Sequence, residues 1–203
     1  MNFVLATANQ GKAKEINSLF GESCLVKTLS DIGFTEEIIE DGVTFAENAI
    51  IKATTVHNWL SAANLIESQY VLADDSGLVI DILNGEPGVH SARWLGADTP
   101  YDIKNNKILE MLANVPEEKR TARFMCVIAC AHPDGGIQTV EGALEGRIAF
   151  KSAGENGFGF DPIFFVPSQN RTLAQLNREE KNLISHRAQA LRRLCCLLGV
   201  NLS

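Results

Sequence analysis

Much that would declare a function outright is missing from this sequence. No CxxC pair occurs among Cys24, Cys126, Cys130, Cys195 and Cys196, and the odd count leaves one over. That argues against a disulfide framework and suits a reducing cytosol, with Cys126 and Cys130 expected as core thiols in an apolar run. No apolar stretch approaches the length of a membrane span. Residues 1–5 lack the charged start and long apolar core of a signal peptide, so a cytoplasmic location is expected. Positive charge is also short: 18 Lys and Arg stand against 25 Asp and Glu, giving a formal charge of -7. Bulk binding to nucleic acid or to an anionic membrane is therefore disfavoured. A small anionic ligand is still compatible, because a local cluster of basic residues can oppose the global sign. There is no linker, internal repeat or low-complexity segment, so residues 1–203 read as a single domain with room for a substantial core.

What is present centres on Tyr70-Val71-Leu72-Ala73-Asp74-Asp75-Ser76-Gly77. It begins as an apolar run too short for a helix and breaks into two carboxylates, a hydroxyl and a glycine. The run predicts a buried strand, with its acidic end where α/β sheets deliver ligand-binding groups. If the strand stays extended, Asp74 and Asp75 point to opposite faces. Carboxylates on a rigid strand end suit Mg²⁺, which takes one or two protein carboxylates together with substrate phosphates. Asp-Ser-Gly is equally ordinary turn chemistry, and the two readings are balanced on local grounds.

In chain order, residues 2–6 predict a strand and residues 12–20 a helix with Ile16, Leu19 and Phe20 on one face. Thr7, Ala8, Asn9, Gln10, Gly11 and Lys12 form the turn between them. Backbone N–H groups at a helix start, with a lysine, make a ready phosphate site. It is not a Walker A loop, since that pattern's first glycine and its Ser or Thr after the lysine are absent. Residues 24–29 predict a second strand. Thr44 and Glu47 fit a capping box for a long helix along Phe45, Ala49, Ala53, Val56 and Leu60. Glu47 thus has a structural role, whereas Glu40 has none evident, and Lys52 reads locally as a surface lysine.

Residues 78–83 alternate weakly and read as a returning hairpin strand, followed by a loop at 84–88. Thr99-Pro100 starts a helix, and residues 123–131 and 137–144 predict a hairpin across Pro133-Asp134-Gly135-Gly136. Residues 154–162 alternate glycines with aromatics; this either opens ring faces for a flat heterocycle or marks a bulged strand with core phenylalanines. Thr172 and Gln175 make another capping box, and Ser185 a plausible cap for a last helix that Gly199 stops. The element order predicts a mixed α/β sheet.

Six motifs in register are together similar to the inosine/xanthosine triphosphate pyrophosphatase family. They are Thr-Ala-Asn-x-Gly-Lys at 7–12, Glu-Asp-Gly-x-Thr-Phe-x-Glu-Asn-Ala at 40–49 and Ala-Asp-Asp-Ser-Gly at 73–77. Then follow Pro-Gly-x-x-Ser-Ala-Arg at 87–93, Phe-Gly-Phe-Asp-Pro at 158–162 and Glu-Lys-Asn-x-Ile-Ser-His-Arg at 180–187. The resemblance implies a long mixed β-sheet flanked by helices, in two lobes with a nucleotide cleft between them. It implies a Mg²⁺-dependent homodimer that releases pyrophosphate from ITP, dITP and XTP. On the matching positions, Thr7, Ala8, Asn9, Gln10, Gly11 and Lys12 would hold the triphosphate, assisted by Lys52. Asp75 would bind metal and act as base, Glu40 would assist the metal and Ser76 would touch substrate. Phe158, Gly159, Phe160, Asp161, Lys181, His186 and Arg187 would form the base pocket. Phe160 departs from the family's frequent tyrosine, and Glu86 stands where a small residue is common. A phosphatase that removes the terminal phosphate, and a nucleotide-binding regulator without turnover, are the rival readings.

Overall fold

Seven strands and five helices make up the computed structural model, whose described residues are 1–21, 24–200 and 202. The order is β1 (Asn2–Leu5), α1 (Gln10–Phe20), β2 (Leu25–Thr28), α2 (Phe45–Ala62), β3 (Gln69–Ile80), α3 (Tyr101–Met111) and β4 (Thr121–Ala131). There follow β5 (Ile137–Ile148), β6 (Phe164–Val166), β7 (Arg171–Thr172), α4 (Arg178–Ile184) and α5 (His186–Leu198). The strands lie in one mixed sheet in the order β2-β1-β3-β4-β5-β6-β7. β1 pairs in parallel with both β2 and β3, while β6 is antiparallel to β5 and β7.

The chain divides into two compact units, each assembled from separated segments. The first comprises Met1–Asp75, Cys126–Gly142 and Arg187–Ser203; the second comprises Ser76–Met125 and Ala143–His186. In the first unit the sheet has an apolar core on each face. One core gathers Leu5, Ile16, Phe20, Leu72, Cys126, Cys130, Leu191 and Leu194 against α1 and α5. The other gathers Val4, Ala49, Ala53, Val56, Leu60, Val71, Ala73 and Val127 against α2. Leu72 and Ala73 fall in different cores because successive side chains of a strand point to opposite faces. Each buried Leu, Ile or Phe contributes ~1.5–3 kcal/mol relative to an exposed one. The second unit closes around Leu78, Ile80, Ile108, Phe124, Phe160, Ile163, Phe164 and Leu173.

Three local expectations are corrected. Residues 78–83 are not a returning hairpin strand, because β3 runs unbroken from Gln69 to Ile80 and ends in a 3₁₀ turn at Asp81–Leu83. Asp74 and Asp75 therefore sit in mid-strand, not at a strand end. Cationic and amide partners satisfy both carboxylates, so Asp-Ser-Gly has no need to turn. The Thr172–Gln175 capping box is real but closes only a 3₁₀ turn, Leu173–Gln175. The helix of this region is α4, which begins after that turn, with Asn177 as cap and Glu180 returning the bond. Finally, β5 extends to Ile148, past the expected end at 144.

Candidate active site

The Thr7–Lys12 turn is the strand-to-helix connection that the sequence predicts. Asn9 caps α1, its side-chain oxygen accepting from the Lys12 backbone N–H at 3.1 Å. Thr7 Oγ1 accepts from Asn9 N–H at 3.2 Å. With these two bonds the turn is fixed by its own side chains before any ligand arrives. Thr7, Ala8, Asn9 and Gln10 also line a cavity of about 690 Å³, together with Lys14, Thr28, Ser30, Phe34 and Glu36. Residues 28–36 were not singled out by motif reasoning, because nothing in their composition marks them.

Asp74 lies on the α1/α5 face of β3. Its Oδ1 is paired with Lys12 Nζ, and its Oδ2 accepts from Arg187 Nε at 2.9 Å and from the Cys126 thiol at 3.0 Å. Arg187 Nη1 also pairs with Glu15. Burial alone would raise the Asp74 pKa, yet Arg187 and Lys12 hold it well below the usual carboxylate range. The same Asp74, with Glu15, keeps Arg187 protonated against its own burial. Burial, reinforced by Asp74, pushes the Cys126 thiol far up, so it is a donor and not a nucleophile.

Asp75 faces the other way, toward α2. Its Oδ1 is 3.3 Å from Lys52 Nζ, and Lys52 Nζ donates to Glu40 Oε2 at 2.7 Å. Lys52 is 7% exposed, so the surface-lysine reading gives way to a buried cation shared by two carboxylates. Burial raises the Asp75 pKa, and Lys52 and Lys12 do not fully offset it. Lys52 shows the reverse balance: burial works against its charge, but Asp75 and Glu40 keep its pKa raised. One ammonium against two carboxylates leaves negative charge uncompensated whenever Asp75 ionises. Two hard carboxylates of that kind fit Mg²⁺. Among the described residues no group of three or more His, Cys, Asp or Glu residues is placed to enclose a metal.

The second unit carries the aromatic loop. Asp161 Oδ2 accepts from Phe158 N–H at 2.8 Å and from Lys181 Nζ at 2.5 Å. The Lys181 ammonium also lies 5.0 Å from the centre of the Phe158 ring. Gly157, at φ 75°, is required here, because a Cβ would collide with Asp161 Oδ2. Gly159 has a backbone oxygen that accepts from Asn105 Nδ2 at 3.1 Å. Phe160 does not offer an open ring: it is 3% exposed and meets Tyr101 edge-on at 5.2 Å. Phe160 therefore fills a core position. His186 is stacked on Phe124 with centroids 4.8 Å apart. Glu86 accepts from Trp94 Nε1 at 3.3 Å, which gives this acidic residue a local partner.

The structure thus gathers the predicted residues into three sets. Lys12 and Arg187 meet at Asp74, Lys52 and Glu40 meet at Asp75, and Phe158, Asp161 and Lys181 meet around one carboxylate. Ser76 follows Asp75 on β3 and is half-buried. Motif reading missed Glu15, Asn48 and Cys126 as partners. Glu15 and Asn48 fall on the inner faces of α1 and α2 at helical spacing, a signal that could have found them.

A mixed α/β sheet whose strand β3 carries an ion cluster on each face is the class defined here. Residues 3–196 match the model of the Ham1 family. The chain is 50% identical to a dITP/XTP pyrophosphatase of Shouchella clausii, over 93% of this chain and 91% of that one. It is 48% identical to the Bacillus subtilis protein of the same name, over 96% of each. The structure of the Staphylococcus aureus Ham1 protein superimposes with a TM-score of 0.84 at 39% identity, covering 98% of both chains. The chain belongs to the Ham1 family.

Proposed function

We propose that this protein hydrolyses deaminated purine nucleoside triphosphates (ITP, dITP and XTP) to the monophosphate and pyrophosphate. The observation that carries the reading is the pair of carboxylates, Glu40 and Asp75, sharing Lys52 in a chain whose relatives are named for this activity. In this reading the triphosphate lies along Thr7, Ala8, Asn9, Gln10, Gly11 and Lys12, with Lys52 and Ser76 also in reach of substrate. The base takes up Phe158, Gly159, Asp161, Lys181 and His186. Phe160 supports that loop from the core, and Arg187 contributes while anchored by Asp74 and Glu15. In this reading the working form is a cytoplasmic homodimer.

Glu40 and Asp75 would hold Mg²⁺. The chemistry that Mg²⁺ supplies when bound is positive charge against the phosphate oxygens and a more acidic attacking water. Asp75, raised toward protonation by its burial, accepts the proton of a water that attacks the α-phosphorus. The bond between the α-phosphorus and its bridging oxygen breaks, and the leaving pyrophosphate carries away the electron pair. Lys12 and Lys52 hold fixed positive charge beside the phosphates through the transition state. Incubating the protein with ITP, XTP, dITP, ATP and GTP, with and without Mg²⁺, tests this reading. Inosine monophosphate and pyrophosphate are the expected products from ITP. Inosine diphosphate with orthophosphate, or binding without turnover, would overturn it.

A further inference from the structure

Asn48 occupies the first turn of α2 and is 1% exposed. Its Oδ1 accepts from Gly42 N–H at 2.9 Å, and its Nδ2 donates to Asp75 Oδ2 at 3.4 Å. The orientation of the amide follows from chemistry, since a backbone N–H needs an acceptor and a carboxylate needs a donor. Asp75 Oδ1 lies on Lys52, and Lys52 lies on Glu40. The backbone from Glu40 to Gly42 then returns to Asn48. These bonds close a ring through Asp75, Lys52, Glu40, Gly42 and Asn48.

Gly42 is part of the same device. A Cβ there would lie 2.7 Å from Asn48 Oδ1 and 2.7 Å from Glu47 Cβ. The absence of a side chain lets the backbone carrying Glu40 approach α2 closely enough for the bond. Glu47 strengthens this approach by accepting from Val43 and Thr44 N–H groups at 2.7 and 3.1 Å. No other side chain of this size presents both an acceptor and a donor on one rigid plane: aspartate would lose the bond to Asp75, and leucine would lose both.

We propose that Asn48 is a positioning residue that sets the separation and orientation of the Glu40 and Asp75 carboxylates. The proposal rests on reading those two carboxylates as the donors to a divalent cation. Neither Lys52 nor the strand can do this alone, because an ammonium is a point charge that imposes no orientation on a carboxylate, and Glu40 lies outside any helix or strand. Asn48 ties a loop-borne donor to a strand-borne one through a rigid amide. Supporting partners of this kind are typically worth 10–100-fold in metal affinity.

The test is direct titration of Mn²⁺ by electron paramagnetic resonance, without nucleotide, on wild-type protein, Asn48→Leu, Gly42→Ala and Asp75→Asn. Melting temperatures are measured in parallel. Asn48→Leu is expected to weaken Mn²⁺ binding by about 10-fold or more, and to raise the Mg²⁺ concentration for half-maximal ITP hydrolysis to match. KM for ITP at saturating Mg²⁺ stays within about twofold of wild type, on the same principle that the residue acts through the cation donors. Gly42→Ala reproduces the effect from the loop side, and decides the matter should Asn48→Leu fail to fold. A lower melting temperature with unchanged Mn²⁺ affinity would make Asn48 a loop brace and overturn the proposal. If Asp75→Asn also binds Mn²⁺ like wild type, the reading beneath it falls instead.

Discussion

Asp74 and Asp75 are consecutive residues of one strand, yet their carboxylates belong to separate ion clusters with opposite electrostatic balance. Asp74 faces two cations, Lys12 and Arg187, which outweigh its burial and hold it ionised. Asp75 faces Lys52 with Glu40 close by, and burial leaves its pKa raised. One carboxylate is a fixed anchor, and the other is poised to take a proton. The alternation of side chains along an extended strand produces this division of labour.

The first prediction separates activity from stability at Asp75. Asp75→Asn keeps the shape of the side chain and removes a charge whose burial is incompletely compensated. Its kcat on ITP is expected to fall on the order of 10²-fold or more, the scale of general-base and metal contributions. Its melting temperature should fall far less than that of Asp74→Ala, the loss coming from one amide donor set against Lys52 or Asn48. Calorimetry on wild type and both variants in the absence of Mg²⁺ checks the second half; a large drop for Asp75→Asn would mean that Asp75 is an anchor like its neighbour.

The converse applies to Asp74. Asp74→Ala removes the carboxylate shared by Lys12 and the buried Arg187, which is 2% exposed and keeps its pair with Glu15. Breaking a buried pair in this way typically costs about 3–5 kcal/mol. A folded-state pKa below the unfolded value of about 3.9 gives stability that is present above that value and lost as pH falls below it. Wild-type stability should therefore decline on acidification below that point, and Asp74→Asn should show a shallower decline from a lower plateau. Urea titrations across the acidic range measure both slopes; parallel curves for the two proteins would remove Asp74 from the acid response.

Much of this was legible in the sequence. The mixed sheet, the strand-to-helix turn with Asn9 and Lys12, the α2 capping box and the opposed faces of Asp74 and Asp75 follow from local patterns. What was not legible depended on partners remote in the chain. Asp-Ser-Gly reads as a turn until Lys12 and Arg187 are known to neutralise the strand at its middle, 62 and 113 residues away from Asp74. Lys52 reads as a surface residue until Glu40 and Asp75 close over it. Phe160 and Phe158 are indistinguishable by spacing, and only the packing of Tyr101 assigns one of them to the core. Cys195 and Cys196 likewise differ only in three dimensions, the first buried and the second exposed.

Gly157 offers a backbone test of the aromatic loop. Its φ of 75° and the collision of any added methyl with Asp161 Oδ2 leave no room for a side chain. Gly157→Ala should lower stability by roughly 1–3 kcal/mol, the scale of left-handed strain in a residue with a Cβ. It should also raise KM for ITP by displacing Asp161 from Phe158 N–H and Lys181. Steady-state kinetics and thermal melts check the two effects together; an unchanged KM would detach this loop from the substrate.

The last prediction concerns how adenine is refused. Hypoxanthine and xanthine carry a 6-oxo acceptor where adenine carries a 6-amino donor. Stacking on Phe158 cannot tell them apart, because every base has a flat face. A fixed donor can, and Lys181 is fixed: its ammonium lies 2.5 Å from Asp161 Oδ2 and 5.0 Å from the Phe158 ring centre. Opposite that ammonium an amino group would leave donor facing donor, at a cost of about 1–3 kcal/mol. Lys181→Met keeps much of the aliphatic stem, and Asp161 retains the Phe158 N–H. The variant should lose ITP kcat/KM by roughly 10–100-fold while ATP changes little, so the ratio between them collapses. Parallel kcat/KM measurements on ITP and ATP decide it. Equal losses on both substrates would reduce Lys181 to a partner of Asp161 and move discrimination to another donor.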